Sequence, residues 1–251
     1  MSLLAAVAFA FCVTAGFAAA PSEAVLGADA PASPLKVIRH MAFDLAFDSQ
    51  STIQTKVSGI GIGLSSGLVT DDGPLARRRS TISVDVVAAT ADGGLAVDIS
   101  EDRSAPFRVG ILGDDLMIGS DVAVTEEEQA LLPYLARGFV RAETVAVGAK
   151  WTASSYGGGI SARTTYTITS VDEDGHTVGL AIAGSSSAEG VKAFDATTTG
   201  SATYDIGKVV PLKLDLTTRT VVSRGERLAT VIAHIAATLR EDTFHKTENR
   251  V

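Results

Sequence analysis

The side chains of this sequence best suited to acid–base or metal chemistry are its histidines, His40, His176, His234 and His245. No two of them are close in sequence, and the paired histidines of a zinc protease helix are absent. His40 and His234 fall in strand-like stretches, where a packed or edge histidine is more common than a ligand. We expect no metal site, although one assembled across strands stays open.

The other reactive groups stand in contexts that favour turns over catalysis. Among the serines, Ser185 to Ser187 have no partner base nearby in sequence. The acidic pairs Asp71-Asp72 and Asp114-Asp115 lie in turn-like contexts. The stretch "DEDG" at 172–175 lacks the downstream Glu of a calcium loop and predicts a hairpin turn. We therefore expect no catalytic residue and no cofactor, and a protein that is not an enzyme.

Three glycines, Gly59, Gly61 and Gly63, alternate with bulky aliphatic residues in "SGIGIGLSSG", residues 58–67. Their spacing fails the dinucleotide fingerprint, and the Lys of a Walker loop is missing. In a strand they would leave one face bare, which lets the sheet bend sharply or another element approach closely. The pattern predicts a curved strand. The alternative is the wall of a ligand groove, so these glycines are candidate ligand-binding residues.

Trp151, the only tryptophan, follows "VAVGAK" at a turn into a strand. A lone tryptophan in this position is typical of a core plug. It could instead line a pocket, because aromatic side chains supply large contact areas in ligand sites. Trp151 is therefore the fourth candidate ligand-binding residue.

Composition and charge exclude several classes of protein. The 251 residues are 46% hydrophobic and 20% charged, which is typical of a globular chain. The formal net charge of −8 argues against nucleic acid as a partner, because binding a phosphate backbone needs clustered Lys and Arg. The basic run 77–79 predicts a solvated loop and strand edge, with an anion or lipid-headgroup contact as the alternative.

The first twenty residues, 1–20, are apolar and Ala-rich, which predicts a secretory signal peptide. The start lacks Lys and Arg, which leaves an upstream start codon open, and Pro21 directly after Ala20 points to cleavage after Ala18 or Ala24 instead. An uncleaved membrane anchor is the alternative, because a segment of this length can just span a bilayer. Residues 21–35 are rich in Ala, Pro and Ser and predict a flexible tether. Cleavage would also remove Cys12, the only cysteine. We expect export to the periplasm or beyond the cell, with membrane contact only through a retained N-terminal segment.

From Lys36 onward, apolar and polar residues alternate with the period of a half-buried strand. Asp92-Gly93 and Asp174-Gly175 each stand between two such stretches, which is a strong hairpin signal. The two hairpins suggest a two-fold architectural repeat. The sequence predicts an all-β fold, a strongly curved antiparallel sheet of about eleven strands shaped as a half-barrel or clam.

One helix is predicted over 125–138. Thr125 and Glu128 form a capping box, and Gly138 offers a stop. Pro133 should kink this helix or divide it into two short pieces. The helix would pack on the sheet or bridge its two halves.

These elements predict a single curved β domain over 36–251, with halves 36–124 and 145–251 joined by the helix. The stretch 228–240 fits a helix stripe and a strand equally well. A closing hairpin is favoured, because a clear strand precedes it and Gly225 lies at the turn between them.

The order of these pieces resembles an uncharacterised group of exported bacterial all-β proteins. The resemblance rests on "RHMAFDLAFDS", "SGIGIGLSSG", "EEEQALLPYLARGFV" and "TTTGSATYDIGKVVPLKLDLTTRT". It implies an architecture and carries no catalytic residue. The last piece is also loosely similar to the half-barrel of periplasmic lipoprotein carriers, which hold acyl chains against an apolar concave face.

The leading hypothesis is a non-enzymatic envelope protein that binds an apolar or lipidic ligand in its concave sheet. A structural or protein-interaction module of the cell surface with a closed core is the rival, and an enzyme with a cross-strand site is the third. A carrier should show an open apolar cavity of roughly 300 Å³ or more. A filled interior would favour the rival. The residues expected to fill it are Phe43, Leu45, Phe47, Ile82, Val84 and Trp151. The ligand and the oligomeric state stay open.

Overall fold

The computed structural model is almost entirely β-strand, which confirms the predicted all-β fold class. The described residues are 37–57, 67–89, 94–102, 104–112, 115–118, 125–135, 139–140, 145–157, 160–188 and 194–245. The strands are β1 (Arg39–Val57), β2 (Gly67–Asp72), β3 (Ala76–Ala89), β4 (Leu95–Glu101), β5 (Phe107–Leu112), β6 (Asp115–Ile118), β7 (Lys150–Gly157), β8 (Ile160–Val171), β9 (Thr177–Ala188), β10 (Phe194–Asp205), β11 (Val210–Arg224) and β12 (Arg227–Phe244).

The described strands form one 12-stranded antiparallel sheet, close to the predicted count. Its order is β6-β5-β4-β3-β1-β12-β11-β10-β9-β8-β7, and β2 pairs with β1 beyond β3. The first and last strands therefore lie side by side at its centre, where β1 pairs with β12 over nearly its whole length. The two halves of the chain meet directly through this pair.

One face of the sheet carries the core. Along β3, buried Ile82 and Val84 alternate with less buried residues, and Val97 and Ile99 do the same on β4. This period of two confirms the alternation seen in the sequence. We call this face the inner face, and the opposite face, rich in charged and hydroxyl side chains, the outer face.

The predicted helix forms, but it is shorter than 125–138. An α-helix, α1 (Glu126–Leu131), runs into a 3-10 helix over Leu132–Leu135. The predicted capping box is confirmed: the Glu128 amide donates to Thr125 Oγ1 at 3.3 Å, and the Thr125 amide donates to Glu128 Oε2 at 2.8 Å. Pro133 has no amide hydrogen, so α-helical bonding cannot continue through it and the turn tightens. Gly138 lies outside the described residues.

This helical segment, residues 126–135, packs on the inner face in a way that fits a curved sheet. Glu127 contacts β3, while Tyr134 packs against Tyr166 of β8. On a flat sheet β3 and β8 would be roughly 29 Å apart, since neighbouring strands are separated by about 4.8 Å. The segment itself is only about 17 Å long. Both contacts are consistent with a sheet that curves around the segment.

Two predicted turns are confirmed by left-handed glycines. Gly175 has φ 70° in the β8–β9 hairpin, where its amide donates to the Asp172 carbonyl. Gly225 has φ 59° between β11 and β12, so 228–240 is a strand of a closing hairpin. The strands β3 and β4 pair as predicted, while the turn residues Asp92 and Gly93 lie outside the described residues.

Candidate functional site

Trp151 lies at the border of a cluster of aromatic rings beside the helical segment. Its ring stacks on Tyr166 at 5.3 Å between centroids, and it meets the edge of Phe139 at 5.7 Å. Phe139 also contacts Tyr134 and Tyr204. Trp151 is only partly buried and packs against the core. Its structural role as a plug and a role at the edge of a ligand surface are therefore compatible.

The interior beside the helical segment is filled. Phe43, Leu45, Ile82 and Val84 are buried, and Phe47 packs against them. Together with Trp151, these are the residues expected to fill a closed core. At this end of the inner face, the packing therefore favours the closed-core hypothesis.

The buried tyrosines are unsuited to acid–base chemistry near neutral pH. Burial raises the pKa of Tyr166 to about 12 and raises the pKa values of Tyr134 and Tyr204 in the same direction. All three hydroxyls stay protonated at physiological pH. The Tyr204 hydroxyl is buried and has no hydrogen-bond partner among the described residues. These rings serve packing.

Beyond the filled end, the inner face changes abruptly to small side chains. Strand register places two successive rows of inner-facing residues next to the row that contains Tyr166, Leu216 and Ile235. The first row is Thr164, Gly184, Thr198, Thr218, Ala233 and Ser49. The second row is Ala162, Ser186, Ala196, Thr220, Val231 and Ser51. We call these two rows the small-residue tract, since all but Val231 are Gly, Ala, Ser or Thr.

The tract is only partly shielded from water, and two of its hydroxyl groups bond to each other. Thr218 and Thr220 are each only 3% exposed, although their neighbours across the strands are small. The hydroxyls of Thr198 and Thr218 are 2.8 Å apart and bond to each other. A threonine whose hydroxyl is paired presents its methyl group, so the surface is less polar than its composition suggests.

A third row closes the tract with larger apolar groups. Its members are Ile160, Ala188, Phe194, Val222, Ala229 and Ile53. All of them except Ala229 are half-buried. With successive inner-facing residues about 7 Å apart, the tract separates the apolar core from this apolar rim by roughly 20 Å. Along the inner face, rows of small side chains thus lie between apolar side chains at both ends.

An ion-pair cluster lies where the helical segment meets the sheet. Arg78 of β3 donates through Nε to Glu127 Oε1 at 2.9 Å, and its Nη2 lies 3.5 Å from Glu101 Oε1 of β4. The Glu127 side chain is 2% exposed. Within the basic run 77–79, only this middle arginine points inward, since Arg77 and Arg79 lie near Asp48 on the outer face.

The sequence prediction missed this cluster and treated the basic run as solvated. The available signal was the alternation along β3. Arg78 is separated from Ile82 and Val84 by an even number of positions, so it lies on the same inner face. Its partner Glu127 lies 49 positions away. No local pattern indicates that pairing.

Two of the four histidines, His40 and His234, form pairs across strands on the outer face. His40 Nδ1 lies 2.6 Å from Asp85 Oδ1, and His234 Nε2 lies 3.1 Å from Asp215 Oδ1. Among the described residues, no group of three or more His, Cys, Asp and Glu side chains could hold a metal ion. The candidate residues Gly59, Gly61 and Gly63 lie outside the described residues.

Comparisons with known proteins give no family. No family model matches the chain, and no curated protein matches its sequence. A solved structure described as "Lipid-protein interactions in lipovitellin" aligns with a TM-score of 0.38 at 7% identity. The alignment covers 86% of this chain and 26% of the lipovitellin chain. An alignment with a TM-score this low establishes neither a shared fold nor a shared function. Within the described part of the chain, none of the helices has the length and apolar character needed to cross a membrane.

Proposed function

We propose that this protein is an exported, non-enzymatic protein of the bacterial envelope that binds an apolar chain, such as the acyl chain of a lipid, along the small-residue tract. The observation that carries the proposal is the change of side-chain size along one continuous inner face. Large side chains fill one end, small ones follow, and a half-exposed apolar rim ends the surface. A bound chain would contact the tract along its length, with apolar groups at both ends.

Three further observations support this proposal. The N-terminal stretch 1–20 has the composition of a signal peptide, which favours export. The buried tyrosines are held neutral, and the described histidine–carboxylate pairs His40–Asp85 and His234–Asp215 lie on the outer face, which favours a binding role over catalysis. The partly buried Trp151 pairs with Tyr166, in the row next to the one where Ala153 pairs with Thr164 and the tract begins.

The test is to fill the tract with a ring and measure ligand binding. Ser186 is half-buried and faces the tract from β9, whereas Ser187 is exposed on the outer face of the same strand. We expect Ser186→Phe to weaken binding of a conjugated polyene fatty acid at least tenfold, because the ring occupies the path of the chain. Ser187→Phe should bind as the wild type does. Equal affinity in both variants, at matched melting temperatures, would show that the chain does not lie on the tract.

The filled interior favours a second candidate, a protein-interaction module of the cell surface with a closed core. This candidate predicts that neither Ser186→Phe nor Ser187→Phe changes lipid binding, because the wild-type protein binds no lipid. A wild-type protein that ignores fatty acids and phospholipid vesicles, but is retained by a specific envelope protein, would support this candidate against the first.

A further inference from the structure

The helical segment is fastened to the sheet at its N-terminal end by the ion-pair cluster of Arg78, Glu101 and Glu127. The three residues come from β3, β4 and α1, so the cluster joins two strands to the helix. Arg78 contacts both carboxylates through the same guanidinium. Its side chain is 46% exposed, while Glu127 is almost fully covered. The buried charge thus belongs to the helix, and the sheet supplies its counter-ion.

Among the described residues of this cluster, the acidic groups outnumber the one basic group. Glu128, which caps α1, is 3% exposed, and desolvation raises its pKa, with charge repulsion from Glu101 and Glu127 acting in the same direction. The Glu101 Oε1 atom is buried and accepts no hydrogen bond from the described residues. A buried carboxylate that loses its counter-ion is costly. The docked position of α1 therefore depends on Arg78.

The apolar side of the helical segment occupies the inner face that also carries the tract. Leu131, Leu132, Tyr134 and Leu135 are buried, and the segment packs on β11 and β12. Those two strands continue into the tract through Thr218 and Ala233. Apolar residues of the segment thus cover one end of a surface whose other end we propose to bind a lipid chain.

We propose that the helical segment is a displaceable plug that competes with an acyl chain for the inner face, and that Arg78 is the latch that holds it there. Removing the guanidinium leaves Glu101 and Glu127 facing each other in a poorly hydrated space. The segment then leaves the sheet and exposes apolar surface continuous with the tract. The competition rests on the proposed function, whereas the latch does not.

Hydrogen exchange on the full chain without ligand tests the latch. In Arg78→Gln we expect the backbone amides of 126–135 to exchange at least tenfold faster, with the amides of β8 to β12 unchanged. Arg79→Gln is the matched control, because Arg79 is 60% exposed and pairs with Asp48 on the outer face. The double variant Arg78→Gln/Glu127→Gln should regain protection, since it removes the uncompensated charge. Unchanged exchange in Arg78→Gln, or equal acceleration in Arg79→Gln, would overturn the latch.

If Arg78→Gln alone does not fold, Arg78→Lys gives the same test. A smaller acceleration of exchange is expected, because lysine keeps the positive charge but lacks the Nε–H that donates to Glu127. Binding of the polyene fatty acid then tests the competition. A released plug should raise the affinity several-fold in Arg78→Gln and leave Arg79→Gln unchanged. Faster exchange without tighter binding overturns the competition. A wild-type protein and variants that all fail to bind any lipid overturn the proposed function instead, and the exchange result still decides the latch.

Discussion

At the scale of single residues, two inward-facing arginines, the buried Arg39 and the partly exposed Arg78, illustrate different uses of charge. Arg39 donates to both carboxylate oxygens of Asp242, at 2.7 and 3.0 Å, and to the Lys208 carbonyl at 2.6 Å. Its guanidinium also lies 4.6 Å from the centre of the Phe244 ring. The positive charge of Arg39 is paired with the carboxylate of Asp242, and this contact holds the ends of β1 and β12 together. Arg78 contacts two carboxylates at once, those of Glu101 and Glu127, which is why we propose it as the latch.

The buried tyrosines predict alkaline sensitivity. An unfolded tyrosine ionises near pH 10, whereas the folded protein holds the pKa of Tyr166 at about 12. The unfolded state therefore loses its proton first, and stability falls as pH rises from about 10 to 12, by about 3 kcal/mol for Tyr166 alone. Far-ultraviolet circular dichroism and tyrosinate absorbance should change together over that range. Tyr166→Phe should flatten the pH dependence, and ionisation of the buried rings well before unfolding would contradict the account.

At the scale of secondary-structure elements, several features of this large sheet are determined by residues that are close together in sequence. The capping box, the tightening at Pro133 and the turn at Gly225 each arise from residues within a few positions of each other, so they were predictable. The face each strand buries also follows from alternation. The register between strands is a different matter, because it depends on side chains that meet only in the fold.

Gly200 tests that register directly. A Cβ at this position on β10 would clash with the Asp215 carbonyl and lie 2.8 Å from a Leu216 methyl group, both on β11. We expect Gly200→Ala to lower the free energy of unfolding by about 1–3 kcal/mol, as overpacking does. Gly184→Ala on β9 is the control, since its nearest contact would be 3.1 Å from the Thr164 hydroxyl, which can turn aside. Urea denaturation of both variants measures the difference, and equal midpoints would argue against the β10–β11 register.

At the scale of the whole molecule, the pairing of the first strand with the last was beyond the reach of the sequence. The sequence predicted a single curved β domain with halves joined by a helix, and it gave no indication that β1 pairs with β12. The contact of Arg78 with Glu127 was hidden for the same reason. The alternation of apolar and polar residues predicts which residues face inward, but only the strand order determines which of them are in contact. The small-residue tract likewise emerges only when six strands are set side by side.

The claim that an apolar chain lies along the inner face is tested most directly by native mass spectrometry. The protein would be purified from its exported location without detergent and measured before and after denaturation. We expect a co-purifying mass that is lost on denaturation and is identified as a lipid or another apolar molecule. The Ser186→Phe variant should carry less of it than Ser187→Phe. A clean mass of the protein alone, together with no uptake of added fatty acids or phospholipids, would contradict the account.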